Sequence, residues 1–266
     1  MAFKYAGSTA LITGASSGIG EAFANKLAAK GCNLILVARS EDALNQIAGD
    51  LHEQHGVTID VMAADLIEPN NRDNVAEAVQ ALGRQVDLLI NNAGFGTMGA
   101  FVKADPQRER SEVDLNVTAL TDLCHAFLPG MLERQHGAII NVASTASFQP
   151  MPYLAVYAAT KAYVRSLSEA LHAECQGRGV TVTALCPGPV ATNFFEATGS
   201  SKAQGMVKKV AGIMMTAEQV VDDALNAMEK GKAVVVPGMP NKLGALGSSL
   251  TPNRLITRLL AKNMGA

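Results

Sequence analysis

Thr9-Ala-Leu-Ile-Thr13-Gly14-Ala-Ser16-Ser17-Gly18-Ile19-Gly20 opens the chain with a short apolar run that stops at a cluster of glycines. Ile19, Phe23, Leu27 and Ala28 then recur on one side of a helix. Strand, glycine turn and helix, in that order, are the context a nucleotide-binding loop requires. Glycines let the backbone approach a pyrophosphate, and the new helix points its first N–H groups at it. The spacing is G-x-x-x-G-x-G rather than G-x-G-x-x-G, so the reading rests on context. A purely structural turn is the alternative.

Working outward, Asn33–Ala38 reads as a second buried strand, followed by Arg39 and Ser40. Dinucleotide folds often place a carboxylate near this point to bind a ribose 2′-hydroxyl. Here a guanidinium stands there instead. It would attract the 2′-phosphate that a carboxylate repels, and Ser16 and Ser17 could add hydroxyl donors. The expected cofactor is therefore NADP(H). A surface arginine with no ligand is the plain alternative.

The pattern then repeats. Glu41–His55 reads as a helix and Val57–Ala63 as a strand closed by Asp65-Leu66, where Asp65 either meets an adenine or caps the next helix. Asn70–Leu82 is a helix, and Val86–Asn91 a strand ending in Asn91-Asn92-Ala93-Gly94. Asp105 and Pro106 open a helix from about Gln107 to Arg134, with Asn116 interrupting its apolar face. That asparagine either meets a local polar need or distorts the helix to hold a water.

Gly137–Ser144 is the fifth strand, Val180–Cys186 the sixth and Lys232–Pro237 the seventh. Pro187-Gly188-Pro189-Val190-Ala191-Thr192 turns across the crevice mouth. Thr216–Lys230 is a helix, Gly238–Ser249 a loop, and Pro252–Asn263 an amphipathic helix. Strands alternating with helices predict an α/β fold with a parallel sheet of seven strands, covered on both faces. No linker or repeat divides it, so one doubly wound, Rossmann-like domain over residues 1–266 is expected.

Composition limits the function. The 266 residues are 48% hydrophobic with a net charge of −2. They carry no basic footprint for nucleic acid, and tryptophan is absent. No apolar run reaches a membrane span, and no signal core follows the N-terminus. Cys32, Cys124, Cys175 and Cys186 are scattered, with no metal-ligand spacing, and suit reduced thiols in a cytoplasmic protein.

The chemistry lies in Ser144, Tyr157 and Lys161. Tyr157 and Lys161 are one helical turn apart and share a face. A phenol ordinarily titrates near ~10, and a nearby ammonium is expected to pull it down. A serine from a strand end could hold an oxygen on which charge develops. This is a proton-transfer site in need of a redox partner.

Taken together, Thr13-Gly14-x-x-x-Gly18-Ile19-Gly20, Asp65-Leu66, Asn91-Asn92-Ala93-Gly94, Asn116, Ser144, Tyr157-x-x-x-Lys161 and Pro187-Gly188 with Thr192 resemble the short-chain dehydrogenase/reductase family over about residues 8–192. Val37-Ala38-Arg39-Ser40 is similar to its NADP-preferring members. The resemblance implies a catalytic tetrad of Asn116, Ser144, Tyr157 and Lys161. In it Tyr157 is the general acid or base and Ser144 bonds the substrate oxygen. Lys161 contacts the nicotinamide ribose and lowers the Tyr157 pKa, while Asn116 holds a water in a relay to Lys161. It also implies cofactor contacts from Gly14, Ser16, Ser17, Gly18, Ile19, Gly20, Arg39, Asp65, Leu66, Asn92, Ala93, Gly94, Tyr157, Lys161, Pro187, Gly188, Val190 and Thr192, and a homodimer or homotetramer.

The expected activity is NADP(H)-dependent interconversion of a carbonyl and a secondary alcohol. A redox-sensing NADP(H) binder without turnover is the rival. Residues 193–215 are expected to form a lid. Met98, Phe101, Phe148, Met151, Phe194, Phe195, Met206, Met214 and Met215 suggest an apolar pocket for a hydrophobic ketone, with ordinary packing as the alternative. The C-terminal helix pairs a Leu255, Ile256, Leu259, Leu260 face with Arg254, Arg258 and Lys262. It either docks on the body or a second subunit, or lies on an anionic membrane surface.

Overall fold

A computed structural model describes residues 3–192, 194, 198, 212 and 214–264. Seven parallel strands run in the order β3-β2-β1-β4-β5-β6-β7. They are β1 (Thr9–Thr13), β2 (Asn33–Ala38), β3 (Ile59–Ala63), β4 (Leu88–Asn91), β5 (Gly137–Val142), β6 (Val180–Leu185) and β7 (Val234–Val235). The chain winds from β1 out to β3, returns to β4 beside β1, and winds the other way to β7. The winding reverses between β1 and β4, and ligands of open α/β sheets bind at such a reversal.

Both faces of the sheet are buried, which is why the central strands read as unbroken apolar runs. Side chains still alternate. Ala10, Ile12, Leu34 and Leu36 face a layer formed by α1 (Gly18–Ala29), α2 (Glu41–His55) and the later helix α7 (Ala217–Glu229). Leu11, Ile35 and Val37 face the opposite layer, formed by α3 (Pro69–Ala81), α5 (Leu120–Glu133) and α6 (Ala155–Glu174). Thr216 and Gln219 form a reciprocal capping box that starts α7.

Two stretches depart from expectation. The helix predicted from about Gln107 to Arg134 is α4 (Pro106–Val113) joined to α5 through a π-helical stretch, Asp114–Ala119, centred on Asn116. Asp105 caps α4, accepting a hydrogen bond from Gln107 N at 2.9 Å. The segment expected to be a loop at Gly238–Ser249 is instead a helix, α8 (Met239–Leu250). Gly244, Gly247, Ser248 and Ser249 make it look loop-like, but Pro240 sits in its first turn and buried Asn241 and Ala245 anchor it. Packing overrides weak propensity here. The last helix is α9 (Asn253–Met264). Most of the expected lid, 193–215, lies outside the described residues.

Candidate active site

The carboxyl ends of the strands open onto a cleft of about 1000 Å³. Gly14, Ser16, Ser17, Gly18 and Ile19 line it from the first turn, with Arg39, Asp65 and Leu66 from the ends of β2 and β3. Asn92, Ala93 and Gly94 line it after β4, and Pro187, Gly188, Val190 and Thr192 after β6. Ser144, Tyr157 and Lys161 line it from β5 and α6. Of the expected site residues, Gly20 and Asn116 do not line the cleft.

Gly20 works at close range instead. A Cβ there would overlap the Gly14 carbonyl and come within 2.6 Å of Asn92 Nδ2. The turn and the first turn of α1 therefore close on each other only without a side chain. Asn92 ties this turn to β4. Its Nδ2 donates to Thr13 O at 2.9 Å and to Gly14 O at 3.2 Å. Thr13 Oγ1 in turn accepts from Asn92 N and Ala93 N, both at 3.0 Å. Thr13 is thus a hinge pin of the site, marked in the sequence only by its place before Gly14.

The residues suit a dinucleotide. The glycine turn lines the cleft, and Ser17, the N-cap of α1, makes no side-chain capping bond. Arg39 is exposed at the cleft edge and joins none of the ion pairs among the described residues. Asp65 does not cap α3, whose N-cap is Glu68. Its Oδ1 accepts from Ile67 N at 3.1 Å, which holds its own turn closed at the cleft wall.

Asn116 meets a local polar need and also sits where the helix is distorted into a π-helical stretch. Its Nδ2 donates to Phe95 O at 2.9 Å and to Thr160 Oγ1 at 3.1 Å, and its Oδ1 accepts from Phe95 N at 3.1 Å. It therefore clamps the loop after Gly94 to α6. Gly94 makes room for this clamp, since a Cβ there would lie 2.8 Å from Asn116 Oδ1 and 3.3 Å from Lys161 Nζ.

Tyr157 and Lys161 are both buried on α6. Lys161 Nζ donates to Val142 O at 2.8 Å and stands 5.9 Å from the centre of the Tyr157 ring. Ser144 caps a short 3-10 turn, with its Oγ accepting from Ala146 N at 3.1 Å, and it lines the same cleft as Tyr157. The expectation that Lys161 depresses the Tyr157 pKa is not met here. Burial pushes the phenol up to about 12, against the Ser144 hydroxyl and with the Glu112 charge. Burial likewise lowers Lys161 to about 8, with Glu112 pulling the other way. Desolvation is the largest cause for both groups; it acts with the Glu112 charge at Tyr157 and against it at Lys161.

Glu112 went unnoticed in the sequence. It lies one helical turn before Asn116 on α4 and is fully buried. Thr97 eases its ionisation, but no donor reaches either oxygen in good hydrogen-bond geometry. Burial raises its pKa. The signal was available: an acid at position i−4 of an asparagine already singled out on a helix.

Among the described residues, only part of the expected apolar set lines the cleft. Met151, Leu154 and Phe194 line the cleft, with the Phe194 ring 5.3 Å from that of Tyr157. Met98 packs beside them. Phe148 instead lies under the Arg165 guanidinium at 4.3 Å, Phe101 is exposed, and Met215 packs into the core. Phe195 and Met206 lie outside the described residues.

Comparison with known proteins agrees with this architecture. A family profile described as short chain dehydrogenase matches residues 8–203. The chain is similar to a very-long-chain 3-oxoacyl-CoA reductase of Anas platyrhynchos, 36% identical over 194 residues that cover 71% of this chain and 61% of that protein. It superposes on the structure of a 7beta-hydroxysteroid dehydrogenase with a TM-score of 0.87, at 28% identity, covering 98% of this chain and 100% of the other. A short-chain dehydrogenase from Sphingobium yanoikuyae in complex with NADPH gives a TM-score of 0.81, at 33% identity over 91% and 93% of the two chains. With the glycine turn, Ser144, Tyr157 and Lys161 gathered at the reversal of this sheet, the chain belongs to the short-chain dehydrogenase/reductase family.

Proposed function

We propose that this protein is an NADP(H)-dependent oxidoreductase that interconverts a hydrophobic ketone and its secondary alcohol. The observation that carries this reading is that Ser144, Tyr157 and Lys161 line the same cleft as the glycine turn and Arg39. When bound, the nicotinamide supplies or accepts the hydride. Every other step falls to the chain. Gly14, Ser16, Ser17, Gly18 and Ile19 hold the pyrophosphate side, and Arg39 pairs with the 2′-phosphate. Asp65 and Leu66 flank the adenine. Asn92, Ala93 and Gly94, with Pro187, Gly188, Val190 and Thr192, would hold the rest of the cofactor along the cleft wall.

Tyr157 delivers the proton to the carbonyl oxygen, and Ser144 holds that oxygen while charge develops on it. Burial keeps Tyr157 protonated at neutral pH, which is the form reduction consumes. Lys161, brought down to about 8, then resupplies the proton near physiological pH. Asn116 keeps Gly94, Phe95 and α6 in register, and the π-helical stretch around it leaves carbonyls out of α-helical pairing where a water can sit. Met151, Leu154 and Phe194 favour an apolar substrate. The NADPH complex of the Sphingobium relative and the acyl and steroid substrates named for the other two support the same class.

The test follows NADPH absorbance with the purified protein over a ketone panel. Turnover is expected to be at least about tenfold more efficient on bulky apolar ketones than on short polar ones, and with NADPH than with NADH, a span that one or two well-made contacts supply. Preference for small polar ketones, or equal use of NADH, contradicts the reading.

A further inference from the structure

Helices α8 and α9 turn leucines outward. On α8, Met239, Leu243, Leu246 and Leu250 follow i, i+4, i+7 and i+11 spacing and share one stripe. Each is more than half exposed. The opposite side of the helix is docked. Asn241 and Ala245 are buried, Asn241 Nδ2 donates to Pro237 O at 3.1 Å, and Ser248 Oγ bonds Gln149 Oε1. The stripe therefore points away from the body. On α9, Ile256 is buried against the body, whereas Leu255 and Leu259 stay more than half exposed. The C-terminal leucine face is thus split between docking and solvent.

Charge indicates what covers this face. Residues 230–266 hold six lysines and arginines (Lys230, Lys232, Lys242, Arg254, Arg258 and Lys262) and no acidic side chain. The whole chain is net −2, so the remainder carries an acidic excess while this end carries a basic one. By helical spacing, Arg254, Arg258 and Lys262 border the Leu255/Leu259 stripe. A two-fold contact between copies through this face would set cations against cations. An anionic lipid surface satisfies both features, taking the leucines among its acyl chains and pairing the cations with headgroups. Among the described residues no helix is long and apolar enough to cross a membrane, so contact would be superficial.

We propose that the α8–α9 face docks this protein on anionic lipid membranes. The test is co-sedimentation of the full-length protein with phosphatidylcholine vesicles, with and without phosphatidylserine, at low and high salt. Anionic vesicles are expected to bind at least about tenfold more protein than neutral ones, and high salt should reduce that excess. Leu246→Glu/Leu250→Glu should lose binding about tenfold or more while keeping its circular dichroism and its NADPH turnover on a water-soluble ketone. Should that variant misfold, Arg254→Gln/Arg258→Gln, altered only at exposed sites, should lose the preference for anionic vesicles. Equal binding to both vesicle types, or none, overturns the proposal. So does a dimer in sedimentation velocity that Leu246→Glu/Leu250→Glu dissociates without any vesicle binding, which would make this face an interface between copies.

Discussion

Tyr157, Lys161 and Glu112 form a buried titratable group of which two members were legible from spacing alone. An i, i+4 pair on a helix announces Tyr157 and Lys161 as neighbours. Spacing says nothing of solvent, and solvent exclusion reverses the expected direction of the Tyr157 shift. Glu112 shows the same limit, since only packing makes its carboxyl buried and poorly solvated. Its raised pKa has a signed consequence. A carboxyl that titrates higher in the fold than in the unfolded chain adds stability at low pH and loses it as pH rises through the folded pKa. Glu112→Gln should therefore match wild type in acid and overtake it toward alkaline pH. The melting temperature should diverge by a few degrees, at about 2–4 °C per kcal/mol for a chain of this size. A destabilisation that is constant across pH would contradict the assignment.

At the scale of elements, β1 and its glycine turn were readable because three local signals agree: an apolar run, glycines where the backbone must approach, and helical periodicity directly after. Gly20→Ala tests that geometry. Its methyl would meet the Gly14 carbonyl and Asn92 Nδ2, so overpacking should cost about 1–3 kcal/mol of stability. NADPH affinity should fall with it, as read by thermal melting and fluorescence titration. An unchanged melt with full affinity would show that the turn is looser than described. Elements held by tertiary contacts were harder to read. The Gly238–Ser249 segment is a helix because Asn241 and Ala245 are packed, not because its residues favour one. A distortion at Asn116 is one of the two readings its sequence position allows, and its π-helical form shows only in the structure, where Phe95 and Thr160 engage its side chain.

Across the whole molecule, the alternation of strands and helices gave the parallel sheet, while the point where the winding reverses had to come from the strand order. That reversal brings β1 and β4 side by side and makes one cleft from segments far apart in sequence, from Gly14 to Thr192. The turn glycines, Arg39, Ser144 and Tyr157 share that cleft because their segments all lie at the same edge of the sheet. In the function proposed, Tyr157 supplies the proton for carbonyl reduction inside it. The most direct measurement compares wild type with Tyr157→Phe for NADPH binding and for NADPH oxidation with an apolar ketone. Binding within a few-fold of wild type is expected, with turnover reduced about 10²–10⁴-fold, the range of general acid catalysis. Turnover retained in Tyr157→Phe would contradict it.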